Sequence, residues 1–200
     1  MTTTVNTDAP AYMVDGVLTD GEAWVALSTT VLTGTANSIT LTSSTGANDW
    51  SQYMDLIFMI YAHNDYSSAS SMYTILASYN NDTTAANYIF QRYYAGDSSL
   101  DAQSLNSLGG GIIGGAISEG IGTNLFGSSM ARIYDINSGK WKTATYWNAG
   151  STGDTDAKVQ SGMHVWNSQA AITEIDIITG DNWTAGSRFD LFGVLPRMVS

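Results

Sequence analysis

The sequence predicts an all-β protein, an antiparallel β-sandwich of jelly-roll-like type with an extended N-terminal arm. Roughly ten short segments alternate apolar and polar residues, and turns rich in Gly, Asn and Asp separate them. No segment shows the apolar period of an amphipathic helix. Period-two segments of this length pack as two stacked sheets.

Residues 50–62 contain the longest apolar run, and its apolar side chains fall on both alternating faces. A strand that is apolar on both faces must be covered on both, so we predict a central strand between two layers. Asp55 is the exception within the run. Because an unpaired buried charge costs several kcal/mol, we expect its carboxylate to accept hydrogen bonds from a neighbouring turn rather than to serve as a catalytic acid.

The chain divides into an extended N-terminal arm at residues 1–21, a β-sandwich domain at 22–195 and a C-terminal tail at 196–200. The arm is polar, carries Pro10 and lacks a sustained period, and we expect it to dock against other protein rather than to fray. It has neither a basic segment nor an apolar core, so it does not resemble a Sec signal. Export, if any, would use another route.

Alternation predicts the other strands near 24–28, 38–43, 72–79, 87–94, 130–136, 140–147, 162–166, 170–178 and 187–194. Within 170–178 the pattern places Ala171, Thr173, Ile175 and Ile177 inward and Glu174 and Asp176 outward.

Two segments do not show this alternation. The segment after Gly96 is expected to be irregular, and residues 108–122 to form a flexible Gly-rich loop whose isoleucines a neighbouring subunit covers. Gly109, Gly111 and Gly114 match a dinucleotide-binding spacing, which we interpret as a coincidence of glycine-rich sequence because no βαβ unit surrounds them.

Composition excludes several function classes. The chain has no cysteine, so disulfides and thiolate metal sites are excluded. Seven Lys and Arg against 18 Asp and Glu give a net charge of −11, so neither nucleic acid nor an anionic membrane is an expected partner. A surface of neutral polar residues with 11 Tyr and 6 Trp suits contact with sugar or with protein.

No group of residues predicts a catalytic, cofactor-binding or metal site. His63 and His164 lack a second His or a Cys nearby, so we expect surface or capping roles and no zinc. Asp154 with Asp156, and the cluster at 80–82, offer oxygen ligands for calcium, but both are ordinary turn sequences. Glu174 and Asp176 are better explained by the solvent-facing side of a strand than as a glycosidase pair. We therefore predict that the chain is not an enzyme.

Aromatic side chains are the remaining candidates for binding. They could stack on sugar rings or anchor a protein interface, although in a sandwich each is more simply a core residue. These candidates are Tyr93, Tyr94, Trp141, Trp147, Trp166 and Trp183, and a glycan site would use loop aromatics such as Tyr66, Trp147 and Trp183.

The order of several motifs resembles a family of small tailed-phage virion proteins of β-sandwich, jelly-roll type. Residues 50–56, Trp-Ser-Gln-Tyr-Met-Asp-Leu, resemble the first motif of that family. The later motifs are Tyr79-Asn-Asn-Asp82 with Asn87-Tyr88, then Ile133-Tyr-Asp-Ile136 followed by Lys142, then 162–177 with Trp166 and Ala171-Ile172-Thr173, and finally 186–194, Gly-Ser-Arg-Phe-Asp-Leu-Phe-Gly-Val. Phe192 stands where the family usually has Tyr, and the arm is not part of the common pattern.

The resemblance implies a non-enzymatic capsid decoration (cement) protein on the capsid exterior. Such a protein would bind the phage major capsid protein and neighbouring copies of itself, as a homotrimer, and would stabilise the head without a cofactor. The alternative is a tail-fibre or receptor-binding module that contacts host glycan.

Overall fold

The computed structural model describes residues 2–3, 13–14, 17–18, 24–67, 72–96, 99–105, 108–120, 122, 124–151 and 157–195. With 65% of residues in strands, the all-β prediction is confirmed. The strands are β1 Thr2–Thr3, β2 Met13–Val14, β3 Val17–Leu18, β4 Trp24–Val31, β5 Ala36–Thr42, β6 Asp55–Asn64, β7 Met72–Tyr79, β8 Tyr88–Gly96, β9 Ser99–Leu105, β10 Gly111–Ser118, β11 Gly127–Tyr134, β12 Lys142–Ser151, β13 Ala157–Trp166, β14 Glu174–Trp183 and β15 Arg188–Val194.

Two layers of strands form the sandwich. The larger sheet is antiparallel throughout and has the order β1-β4-β15-β6-β11-β12-β13-β8-β9. The smaller sheet has the antiparallel order β5-β14-β7-β10. Successive strands from β4 to β8 alternate between the two sheets, as expected for a jelly-roll-like sandwich. The described helices are 3-10 turns at Gly46–Asn48, Trp50–Gln52 and Ala85–Asn87, and none of them is long enough to cross a membrane.

Strand β6 joins the two layers. It pairs with β15 and β11 inside the larger sheet, and its last residues, His63 and Asn64, pair in parallel with Ile117 and Ser118 of β10. The central position predicted for this segment is confirmed, although Trp50 lies in a 3-10 turn ahead of the strand. The prediction that both of its faces are covered is wrong, because Met59 and Tyr61 point outward and are exposed.

The Gly-rich segment is a buried strand, so the predicted flexible loop is wrong. Every residue of β10 is buried, and its isoleucines pack into the core of the same chain rather than against another subunit. Gly109, Gly111 and Gly114 lie at or within this strand, which ends in a turn at Glu119 and Gly120.

The glycines of β10 let the two sheets approach closely. A Cβ added at Gly111 would overlap the ring of His164, and one at Gly114 would overlap the side chain of Ser129. The Ser129 hydroxyl instead accepts a hydrogen bond from the Gly115 N–H at 3.1 Å and donates one to the Gly115 carbonyl at 3.3 Å. Glycine therefore provides the space in which side chains of the larger sheet reach the backbone of β10.

Three other expectations need correction. Residues 99–105 form the edge strand β9 instead of irregular chain. Ala171 and Thr173 are exposed and precede β14, whereas Ile175 and Ile177 are buried as predicted. The described strands also outnumber the ten or so that were expected.

The two ends of the chain are described only in part. Thr2 and Thr3 pair with Thr30 and Thr29 of β4, and β2 pairs with β3. The rest of the arm predicted at 1–21, and the tail at 196–200, lie outside the described residues.

Replacing Gly114 by alanine should lower the free energy of unfolding by about 1–3 kcal/mol, because the new methyl group overlaps the Cβ of Ser129 at 2.5 Å. Gly139→Ala is the matched control, since no atom lies within 4 Å of its added methyl group. Urea unfolding of both variants checks this. Equal stability of the two variants would show that the sheets are not in close contact at this point.

Candidate functional site

The outer face of the larger sheet carries an exposed apolar and aromatic surface. Trp147 is 66% exposed and Tyr93 is 57% exposed, although the outer face of a sandwich is normally polar. We call this surface the Trp147 face and define it by Met59, Tyr61, Tyr93, Met130, Trp147 and Val159.

Strand register aligns the centre of the Trp147 face in one row. Met59 of β6 lies opposite Met130 of β11, which lies opposite Trp147 of β12. Trp147 in turn lies opposite Ser161 of β13, and Ser161 lies opposite Tyr93 of β8. Neighbouring strands are about 4.8 Å apart, so the two aromatic side chains arise about 10 Å from each other.

Trp147 separates two shallow depressions. One has a volume of about 680 Å³ and is lined by Met59, Tyr61, Met130 and Val159, among others. The other has a volume of about 480 Å³ and includes Tyr93, Thr145 and Met163. The face is therefore a broad, open surface with a central tryptophan ridge, which is the shape of a contact surface rather than of a deep active-site cleft.

The charged side chains beside the Trp147 face form two ion pairs. The guanidinium of Arg132 donates to Asp55 Oδ2 from Nε at 2.8 Å and from Nη2 at 2.5 Å. Arg188 Nε lies 2.8 Å from Asp190 Oδ2. Both pairs are internally neutralised, so the face adds little charge to a chain of net charge −11.

The role predicted for Asp55 is confirmed. Its Oδ1 accepts a hydrogen bond at 2.8 Å from the backbone N–H of Asp135, which lies in the turn after β11. Its other oxygen is occupied by Arg132. One oxygen fixes the turn to β6 and the other pairs with Arg132 of β11, and these contacts account for a carboxylate inside an apolar run.

Both histidines are buried, so a surface position is wrong for each. His63 caps a loop, because its Nε2 lies 3.2 Å from the Gly122 carbonyl and its Nδ1 lies 2.9 Å from the Thr184 hydroxyl. His164 lies between the sheets, where its Nδ1 donates to the Ile112 carbonyl at 2.9 Å. Its Nε2 therefore accepts from the Tyr79 hydroxyl at 2.6 Å.

The turn at residues 80–82 connects motifs that are distant in sequence. Asp82 Oδ2 accepts hydrogen bonds from Trp166 Nε1 and Asn87 Nδ2, both at 2.8 Å. Burial raises the pKa of Asp82, but the hydrogen bonds from Trp166, Asn87 and Thr84 outweigh it and hold the pKa below its usual value. Asn80 Oδ1 accepts from the Thr173 N–H at 2.9 Å, and Asn80 Nδ2 donates to the Ala171 carbonyl at 2.8 Å.

These contacts account for the conformation of the turn at 80–82. Asn80 and Asn81 adopt positive φ angles of 52° and 59°, as the turn prediction requires. Among the residues that the structure describes, no group of three or more His, Cys, Asp or Glu side chains could hold a metal ion. Asp154 and Asp156 lie outside the described residues.

The other aromatic residues that were candidates for binding do not form a common site. Trp166 and Trp183 are core residues, and Trp183 packs edge-on against Phe189. Tyr66 packs against Tyr73 with 4.5 Å between ring centroids. The loop-based glycan site predicted from Tyr66, Trp147 and Trp183 is wrong as a set, because Trp183 is buried in the core and Trp147 lies on strand β12 rather than on a loop.

The other polar candidates have structural partners. Glu174 and Asp176 lie on the outward side of β14, where Asn81 bonds Glu174 and Thr40 bonds Asp176. Lys142, which belongs to one of the family-like motifs, is buried and donates from Nζ to the carbonyls of Ser138 and Lys140.

The chain matches no family model, no curated protein and no solved structure.

Acid should destabilise the fold through His164. Burial lowers the pKa of His164 to about 4, whereas the unfolded value is about 6.5. The unfolded chain then binds the proton more readily, so the free energy of unfolding falls by an amount on the order of 3 kcal/mol as the pH decreases from 6.5 to 4. Urea unfolding across this range measures the loss.

NMR titration shows whether protonation of His164 causes this loss of stability. The His63→Gln variant leaves one imidazole, and its signals should remain those of the neutral ring until the pH approaches 4. Titration near pH 6.5 would contradict a closed site around His164.

Proposed function

We propose that this chain is a non-enzymatic structural protein of a tailed-phage particle. It acts as a capsid decoration protein that binds the outer surface of the major capsid protein lattice through the Trp147 face. The observation that carries the docking step is the row of apolar and aromatic side chains at Met59, Met130, Trp147 and Tyr93, of which Met59, Trp147 and Tyr93 are exposed and beside which both ion pairs are neutralised. The phage context comes from the motif order in the sequence.

The Trp147 face suits protein contact for energetic reasons. Exposed apolar patches on soluble proteins mark interaction sites, and Trp and Tyr anchors supply a large share of interface energy. Arg132 and Arg188 already have carboxylate partners, so a partner can cover this face without stripping water from an unpaired charge. The net charge of −11 favours a protein partner over nucleic acid or an anionic membrane.

The family-like motifs support the class of protein rather than its contact surface. Tyr79, Asp82, Tyr88 and Trp166 meet at one corner of the sandwich through hydrogen bonds and ring contacts. The proposed homotrimer and the position on the capsid exterior rest on the same resemblance.

A glycan-binding module on a tail fibre is the second candidate. It is favoured by Trp147 and Tyr93, which lie in one row with the hydroxyl residue Ser161 between them. Exposed aromatic rings on a flat sheet can stack on sugar rings, while neighbouring hydroxyl groups can bond sugar hydroxyls.

The Trp147→Ala variant should bind capsid shells at least about tenfold more weakly than the wild type, because an interface tryptophan contributes about 2 kcal/mol or more. Trp141→Ala is the matched control, since Trp141 is 54% exposed but lies outside the row. Both variants should unfold near the wild-type temperature. Cosedimentation with purified shells of a tailed-phage major capsid protein, taken from the phage whose genome encodes this chain, measures binding.

Two results would contradict the capsid proposal. The first is wild-type protein that does not sediment with the shells. The second is equal binding by the Trp147→Ala and Trp141→Ala variants. Specific glycan-array binding by the wild type that Trp147→Ala abolishes, together with no shell binding, would establish the glycan-binding candidate instead.

A further inference from the structure

Strand β9 ends the larger sheet, and within the described residues only one of its two edges has a partner strand. Ser99–Leu105 pairs with β8 over its whole length and without a register shift. Edge strands are usually protected from further pairing by Lys, by Pro, by a bulge or by being very short. β9 has seven residues, contains neither Lys nor Pro and has no bulge. Its free edge is therefore regular enough for another strand to join.

The hairpin between β8 and β9 shows which residues of β9 bond β8. Gly96 pairs with Ser99, and two residues lie between them in the sequence. The pair that closes a two-residue hairpin loop exchanges backbone hydrogen bonds. Such pairs alternate with non-bonded pairs along an antiparallel ladder, so every second residue of β9 bonds β8. These residues are Ser99, Asp101, Gln103 and Leu105.

The alternate residues Leu100, Ala102 and Ser104 direct their backbone N–H and C=O groups to the free edge. The contact of Ala102 agrees with this direction, because its N–H donates to Oδ1 of the exposed Asp101 at 2.8 Å. A partner strand can offer a carbonyl to this N–H in place of the carboxylate. The free edge thus presents three residues whose backbone groups are arranged for a further strand.

The other described strands at sheet ends suit an added strand less well. β1 has only two residues. The pairing of β5 with β14 is interrupted between Ile178 and Trp183, so the edge of β5 is not regular over its length.

The sequence of β9 is complementary to itself when two copies of the strand run antiparallel. Residues that face the free edge must then lie opposite one another. With Ala102 opposite the same residue of a second copy, all seven residues overlap and Leu100 lies opposite Ser104. The large apolar side chain then meets a small one across the contact, which avoids a steric clash.

The charge of Asp101 selects this register over its neighbours. Pairing Leu100 with Ala102 would place Asp101 directly opposite the same carboxylate of the second copy, and opposed like charges destabilise a sheet. Pairing Ala102 with Ser104 would leave only residues 101–105 in overlap. In the central register Asp101 lies opposite Gln103, whose Oε1 accepts from Arg92 and whose amide N–H groups can donate to a carboxylate.

We propose that two copies of this chain pair antiparallel through β9, about a two-fold axis at Ala102. Each copy uses the same strand, as a two-fold contact requires. The two larger sheets then form one continuous sheet, and their Trp147 faces lie side by side on the same surface. Leu100, which is 76% exposed in the single chain, is covered by the added strand. The pairing rests on β9 alone and does not depend on the function proposed above.

Disulfide cross-linking tests the register, because the chain contains no cysteine. Ala102→Cys should form a disulfide-linked dimer on mild oxidation, since opposing Cα atoms of a hydrogen-bonded pair lie about 5.5 Å apart, within the range of a disulfide. Leu100→Cys is the matched control: this position is 76% exposed but would lie about 14 Å from the same residue of the second copy. Non-reducing electrophoresis should show a severalfold larger linked fraction for Ala102→Cys.

Light scattering after size-exclusion chromatography measures the assembly without a cross-link. The mass of the wild type should be an even multiple of the 21.3 kDa chain, as a dimer or as a pair of the proposed homotrimers. Ala102→Pro should halve that mass, because proline removes an N–H that faces the free edge and that β8 does not use. The cysteine variants decide the test if Ala102→Pro does not fold.

Three results would overturn the pairing: a wild type that is a monomer or an oligomer with an odd number of chains, an unchanged mass for folded Ala102→Pro, or equal cross-linking by the two cysteine variants. None of these results bears on shell binding through the Trp147 face, which the Trp147→Ala variant tests separately.

Discussion

The close contact between β10 and the larger sheet is the constraint on which the rest of the fold depends. Side chains of Ser129 and His164 bond the backbone of β10 directly, and glycines at 111 and 114 leave the room for them. Glycine in a strand costs about 0.5–1 kcal/mol relative to alanine. Burial of Ile112, Ile113 and Ile117 offsets that cost, at about 2 kcal/mol for each side chain. His164 must remain neutral in this contact, so the same packing sets the acid limit of the fold.

Much of the architecture could be predicted from alternation. β7, β8 and β15 lie within one or two residues of their predicted limits, because each has one apolar and one mixed face. β10 was not predicted, because glycine carries no hydrophobic signal and a strand without side-chain alternation resembles a loop. β9 was missed for a related reason: it is an edge strand, and its sequence, SLDAQSL, is mostly polar.

The candidate surfaces were harder to predict than the fold. Trp147 and Trp183 are the same residue type, and the sequence around them gives no reason to separate them. Nevertheless, Trp147 is exposed to solvent and Trp183 is buried. What separates them is the face of the sheet on which each lies, and that depends on cross-strand register between distant segments.

The larger sheet presents two different chemistries because its residues alternate. Trp147 and Ser161 point outward to the apolar row, whereas their neighbours Asn148 and Gln160 point inward, where Asn148 contacts Met72 of the smaller sheet and Gln160 lines a small cavity. A shift of one residue in the pairing of β12 with β13 would exchange the two sets. Any partner bound at the outer face is therefore held on the same rigid strands that shape the inner cavity.

The position of β15 has a consequence for biogenesis. This strand, at 188–194, lies between β4 and β6, so in the larger sheet as the structure describes it these two strands are joined through β15. A nascent polypeptide that emerges from the ribosome cannot close this gap before residue 194 has been translated. Until that moment the facing edges of β4 and β6 remain unpaired, and chaperones have a defined interval in which to shield them from other nascent chains.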